Sequence, residues 1–327
     1  MVYLLLFLYL VCLMLEYDVC GKKKHKQEHF IFVIFLMILV SGLRYRLGTD
    51  TIIYMDEFKL YPSLSQINIK TFSDFRYQPF WILLNSIGRS FGNFAVVQLI
   101  TSAIHIGIWG YVLKRICPLL QFSALFFYYI YDFTMFNMEV MRESIAISFF
   151  LLSVLALNNG NFGKMIFYII VATFFHVYAL PVFILFYLYY KLLINRPILS
   201  SVILLAVGVL SIVNKDFITN FILTKITGND NLVYSRAALF YANSEIYGNS
   251  NLNWRGILFS FLRPIVFIQL LFVTKKTYNT YIHINWSIFA TTIWLSALLS
   301  LLIYMMPIAN RFYNYFHFLK LYTRHYI

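Results

Sequence analysis

Polar clusters interrupt the apolar runs of this 327-residue chain, and their residue types are those that grip phosphate and handle protons. The first, Arg44-Tyr45-Arg46-Leu47-Gly48-Thr49-Asp50 with Tyr54 just beyond, follows directly on the apolar residues 30–43. The second is Arg76-Tyr77-Gln78-Pro79-Phe80-Trp81, and the third is Asn137-Met138-Glu139-Val140-Met141-Arg142-Glu143-Ser144. The fourth, Phe174-Phe175-His176-Val177-Tyr178, falls at the turn of an apolar hairpin, and the fifth is Asn310-Arg311-Phe312 with Tyr315. Charges beside hydrocarbon are costly and require a partner or an aqueous cavity. Arginine offers a planar fork matched to phosphate and carboxylate. A basic group followed by an acid at a helix end therefore fits an anionic, hydroxyl-bearing ligand.

Each cluster also has a plainer reading. Arg44 can anchor its helix in the headgroups by snorkelling. Asp50 can cap the helix that follows. Arg142 with Glu143 can be a capping pair, the glutamate offsetting the helix dipole. His176 reads equally as a satisfied interfacial histidine. Asp132, inside an apolar run, is expected to face a polar cavity rather than lipid. His105, with no acid near it in sequence, is expected to be structural.

These groups must be positioned by membrane helices. Hydrophobic residues make up 61% of the chain and charged residues 12%, with a mean hydropathy of +0.73. No soluble domain of this size hides so much apolar surface. The expected fold is all-α, a polytopic transmembrane bundle forming a single membrane-embedded domain over residues 1–327. The net charge of +13 does not point to nucleic acid, because the basic residues interrupt apolar spans instead of forming a soluble basic face. The expected partners are the lipid bilayer and an anionic lipid-linked ligand. Cys12, Cys20 and Cys117 show no metal-site or disulfide spacing. With no glycine-rich phosphate loop, zinc motif or nucleotide-binding fold in view, neither cofactor nor metal is expected. Any catalysis then takes place in the membrane, with energy already stored in the substrate.

Apolar runs recur at residues 2–15, 30–43, 93–113, 118–138, 144–157, 164–175, 179–190, 198–213, 256–273, 284–306 and 312–321. Several are shorter than the roughly 20 residues that cross hydrocarbon, and flanking aromatic and basic side chains extend them, giving roughly ten to eleven helices. Residues 2–15 read as a retained first helix, because lysines follow the apolar core and no small-residue cleavage site appears. The lysine-rich Lys22-Lys23-Lys24-His25-Lys26 is expected to be cytoplasmic, with the N-terminus outside. Alternation puts Lys114-Arg115, Lys164, Lys191, Arg196 and Lys275-Lys276 on the same side, provided that residues 80–91 are interfacial or re-entrant. The outer side then receives Arg44, Arg46, Arg76, Arg89, Arg142, Arg236, Arg255 and Arg311. It also receives long loops at 44–79, with an amphipathic piece at 51–60, and at 214–255.

Arg44-Tyr45-x-x-Gly48-Thr49-Asp50 with Tyr54, then Pro79-Phe80, Arg142-x-x-Ile145-Ala146 and Phe175-His176-x-x-Ala179-Leu180, resembles the EpsG family, grouped with Wzy-type O-antigen and capsule polymerases of bacteria. The resemblance covers residues 1–320 or so. Gln78 stands where the family usually has glutamate, and Tyr178 where a serine is common.

The resemblance implies a polysaccharide polymerase of the bacterial inner membrane. Such an enzyme moves a growing glycan from undecaprenyl pyrophosphate onto the next lipid-linked repeat unit. It also implies a helical architecture like that of metal-independent GT-C enzymes, and other polysaccharide assembly proteins as partners. On this reading Arg44, Arg46, Tyr54, Gln78, Arg142 and Arg311 bind substrate, the arginines stabilising the leaving pyrophosphate. His176 is the expected general base for the acceptor hydroxyl, histidine having an ordinary pKa near about 6.5. Asp50, Glu139 and Glu143 are the carboxylates that orient or replace it. A glycan ligase would use the same chemistry. A flippase or export component would instead show charges along a two-sided path and internal symmetry, and neither is evident.

Overall fold

The structure, a computed structural model, is described for residues 1–75, 77–193, 195–196, 199–203, 206–207, 209, 262, 283–303 and 309–316. The loop expected at 214–255, Arg76 and most of the runs expected at 198–213 and 256–273 lie outside the described residues. Among the described residues every regular element is helical. Among the described residues three apolar helical stretches are long enough to cross a membrane: Val2–Val19, Phe94–Ile116 and Met141–Asn158.

The first stretch is α1 (Val2–Leu13) continued by a π turn (Met14–Val19), so the helix runs past the apolar residues 2–15. Helix α2 (Lys26–Gly42) returns beside it. Lys26 does more than mark a side of the membrane. Its Nζ sits 3.1 Å from Asp18 and donates to the Leu119 carbonyl at 2.9 Å. The other Asp18 oxygen accepts from the Ser123 amide at 2.7 Å. A buried carboxylate needs such partners, and here they tie the π turn after α1, α2 and the start of α7 (Gln121–Tyr131) together.

Helix α3 (Thr49–Phe58) begins after Gly48, which is its N-cap, so Asp50 lies in the first helical turn and is not the cap. A short α4 (Thr71–Asp74) precedes α5 (Pro79–Ser90), which opens with proline in its first turn, where the missing N–H costs nothing. At about 1.5 Å per residue α5 is too short to cross hydrocarbon. It buries Trp81, Ile82 and Leu84 on one face.

Helix α6 (Phe94–Ile116) is capped by Asn93, whose side chain accepts from the Ala95 amide at 2.8 Å. It packs against α2, where Gly42 sits with no room for a side chain beside Leu99, and Ser41 pairs with Ser102 at 2.8 Å.

The apolar residues 118–138 do not form one span. Helix α7 (Gln121–Tyr131) stops at Asp132, and a π turn (Met135–Glu139) leads through Val140 into α8 (Met141–Asn158). Asn137 holds the break: its amide donates to the Phe133 carbonyl and the Tyr128 hydroxyl, both at 2.8 Å. Asp132 is buried at the end of α7. Helix α9 (Phe162–Phe175), capped by Asn161 through the Lys164 amide at 3.0 Å, packs back on α8. His105 on α6 reaches Ser148 of α8 at 2.7 Å, a packing role.

These elements make one compact unit, Met1–Pro181 with Asn279–Ile284. A second comprises Val182–Tyr278 and Asn285–Ile327. It contains most of α10 (Ala179–Leu192), together with α11 (Trp286–Ile303) and α12 (Ala309–Asn314). Thr291, Thr292 and Ser300 of α11 each return their hydroxyl to a carbonyl of the preceding turn at 2.7 Å, so this helix buries hydroxyls without orphaning them.

Candidate functional site

Arg44 is the second residue past the end of α2 and only 6% exposed. Its Nη1 donates to the Ser41 carbonyl, where the end of α2 leaves unpaired acceptors, and approaches the Ser41 hydroxyl at 3.5 Å. Its Nη2 donates to the Thr51 hydroxyl at 3.1 Å. Thr51 in turn donates to the Met138 carbonyl. Burial pulls the Arg44 guanidinium down to about 10, opposed by Tyr3 and Glu139, which leaves it charged at neutral pH. The Nε finds no hydrogen-bond partner among the described residues.

The loop after Arg44 is pressed onto the π turn before α8. Gly48 has φ +95°, and a side chain there would strike the Met138 carbonyl. One residue on, Glu139 accepts from the Asp50 amide at 3.2 Å. A carboxylate at the start of α3 thus satisfies an orphan amide in the helix's first turn, as a local cap would. Asp50 and Glu139, expected as alternative carboxylates of the site, meet each other through the Asp50 backbone.

A second knot joins α3, α5 and α8. The Nη1 of Arg142 donates to the Gln78 amide oxygen at 2.8 Å, and its guanidinium lies 4.5 Å from the centre of the Tyr77 ring. The Tyr77 hydroxyl donates to Glu57 at 2.7 Å. Tyr54, on the buried face of α3, lies 6.3 Å from Tyr77 and 5.1 Å from Trp81 between ring centres. Gln78 is the residue just before α5, and its amide holds Arg142 without neutralising it. The Arg142 Nε has no hydrogen-bond partner among the described residues.

The beginning of α5 also meets the end of α9. Phe80 stacks on Phe174 at 5.0 Å and stands edge-on to Phe175 at 5.5 Å. His176, the next residue, ends α9 with extended backbone and a ring 5.1 Å from that of Tyr178. At 2% exposure His176 is buried, although it sits in a turn.

Three further expected site residues have these positions. Arg46 is exposed with φ 51°. Glu143 is buried in the first turn of α8, in line with a dipole-offsetting role. Arg311 lies in α12, part of the second unit. Thr51 and Glu57 were not expected. The signal for Thr51 was the spacing of Thr51, Tyr54 and Phe58, one face of the amphipathic α3, all buried. Among the described residues no group of three His, Cys, Asp or Glu stands close enough to hold a metal.

The described elements define an all-helical protein with apolar helices of membrane-crossing length, a buried Arg44 just past the end of α2 and a half-buried Arg142 at the start of α8. The model of the EpsG family matches residues 29–326, nearly the whole chain, and the chain belongs to that family of Wzy-like polysaccharide polymerases. Membership points to a polysaccharide-polymerising role in exopolysaccharide biosynthesis. No curated protein and no solved structure matches the chain.

Proposed function

We propose that this chain is a metal-independent glycosyltransferase of the bacterial cytoplasmic membrane, with a helical architecture like that of GT-C enzymes. It transfers a growing glycan from undecaprenyl pyrophosphate to the next lipid-linked repeat unit on the outer face. The acceptor hydroxyl oxygen bonds to the anomeric carbon, the bond from that carbon to the pyrophosphate oxygen breaks, and undecaprenyl pyrophosphate departs. His176 takes the hydroxyl proton, with Asp50, Glu139 and Glu143 as the acids that orient or replace it. Arg142, Arg44 and Arg46 bind the pyrophosphate, with Gln78 and Tyr54 shaping the site.

The single observation that supports this most is the state of Arg142. Its guanidinium is fixed by the Gln78 amide and by the Tyr77 ring, and one donor remains unpartnered. A guanidinium fixed in advance beside the site is poised for a developing anion, because holding it there removes reorganisation from the reaction. Arg44 combines that role with fastening α2 to α3. The test is incubation of the purified full chain in nanodiscs with undecaprenyl-pyrophosphate-linked repeat units. A ladder of polymer is expected, and intact repeat units after long incubation would overturn the reading.

A further inference from the structure

A groove of about 370 Å³ runs between the start of α1 and the end of α2. Tyr3, Leu39, Val40, Leu43 and Leu47 line it, and Arg44 is its one charged residue. Leu43 and Leu47 are themselves substantially exposed, so the groove opens on a broadly apolar surface. We infer that this groove seats the first isoprenoid units of a single-chain lipid phosphate ester, with the headgroup against Arg44. The inference rests on the polymerase reading and adds where the carrier tail of the substrate lies.

The apolar walls alone select nothing. In a bilayer a hydrocarbon chain gains little by exchanging lipid neighbours for leucine, because the two are equally apolar. Selection comes from Arg44. Ser41 and Thr51 hold Nη1 and Nη2, while the buried Nε has no hydrogen-bond partner among the described residues. Arg44 is the one cation lining the groove, and an ester phosphate at the end of the groove pairs with that charge. A cleft between two helices admits one chain more readily than the paired chains of a glycerophospholipid. The occupant that fits both features has one long tail and a phosphate or pyrophosphate head.

The experiment uses undecaprenyl phosphate carrying a diazirine in the isoprene units nearest the head, added to the full chain in nanodiscs of phosphatidylcholine. Photocrosslinks are mapped by mass spectrometry, and polymer formation is measured on the same preparations. Adducts are expected within residues 39–47 and the start of α1. Val40→Trp fills the groove and should lower their yield by about tenfold or more, an effect equivalent to about 1.4 kcal/mol. Leu5→Trp, at an exposed position on α1 that does not line the groove, should leave the yield unchanged. Thermal melting of both variants separates loss of the groove from loss of the fold. If Val40→Trp melts early, Leu43→Trp provides the same block from the other side of the turn.

Adducts elsewhere, or an unchanged yield in a folded groove-filling variant, overturn the assignment. So does equal competition by phosphatidylglycerol, which would make the groove a site for ordinary annular lipid. Failure of the polymerase reading looks different. In that case the wild-type chain makes no ladder while the crosslink, its mapping and its loss in Val40→Trp remain.

Discussion

The Nη1 of Arg142 donates to the side-chain oxygen of Gln78 at 2.8 Å, and this contact joins α8 to the residue that opens α5. The Gln78 amide supplies an acceptor to Arg142 without a charge. The contact also places the arginine within two residues of Phe80, whose ring packs on the residues before His176.

Arg142→Lys is expected to lose most polymer while protein abundance stays normal. A lysine cannot make the Gln78 bond, lie flat on Tyr77 and still present a third donor. Gln78→Glu should keep polymer formation, because a carboxylate accepts the same bond with charge assistance. Gln78→Leu should lose it by misplacing Arg142. Ladder assays on the three variants check this, and full activity in Arg142→Lys would reduce the arginine to an anchor.

Arg44 is expected to behave differently, because its fork bridges the end of α2 and Thr51. Arg44→Lys should lower both activity and melting temperature, whereas Arg142→Lys lowers mainly activity. Thr51→Val removes an acceptor of Arg44 and the donor to Met138 in a fully buried position. It should cost about 1–3 kcal/mol. Thermal unfolding in detergent against the wild type measures it. An unchanged midpoint for Thr51→Val would show that the bridge contributes nothing.

What the sequence made visible was the composition of the membrane helices and the polar clusters beside them. Arg44, Gln78 and Arg142 are visible because charge and amide at the edge of an apolar run require an account. Their partners are another matter. Arg142 meets Gln78 across 64 positions, and Thr51 meets Met138 across 87. Such contacts depend on which helices pack together, and no local pattern encodes that. The break at Asp132 was hidden for a related reason. Residues 118–138 are apolar enough to read as one span, and only the buried bonds of Asn137 show why the helix stops. The packing of Phe80 on Phe174 and Phe175 at the end of α9, next to the buried His176, is likewise a contact between separate helices.

Gly48→Ala is expected to disrupt the junction of loop and π turn. The position has φ +95°, a region that non-glycine residues enter at about 1–3 kcal/mol, and the added carbon also meets the Met138 carbonyl. Loss of the Asp50–Glu139 contact should follow. Limited proteolysis of the 44–51 segment measures it: faster cleavage in Gly48→Ala is expected, and unchanged cleavage would show that the junction tolerates the change.

The proposed sidedness has its own test. Ile69, 90% exposed in the loop between α3 and α5, should react with an impermeant thiol reagent in intact cells after Ile69→Cys. Lys24→Cys should not. Both changes are made after replacing Cys12 and Cys20 by serine, because those native cysteines are exposed. The reverse labelling pattern would put the arginine clusters on the side where lipid-linked repeat units are built, and would overturn an outer-face polymerase.

His176 carries the proposal with most at stake, since a buried histidine serves equally well as packing. As a general base it should contribute about 10²–10⁴-fold to rate, so His176→Ala should nearly abolish polymer. Binding of the lipid-linked repeat unit should persist, because the arginines remain in place. His176→Gln, which keeps hydrogen bonding and most of the volume, separates the two roles. A packing residue is largely restored by glutamine, whereas a base is not, because an amide cannot take up a proton near neutral pH. Initial polymerisation rates of both variants, with lipid binding and melting temperature measured alongside, decide between them. Rates near wild type in His176→Gln would make the histidine structural and move the search for the base to Asp50, Glu139 and Glu143.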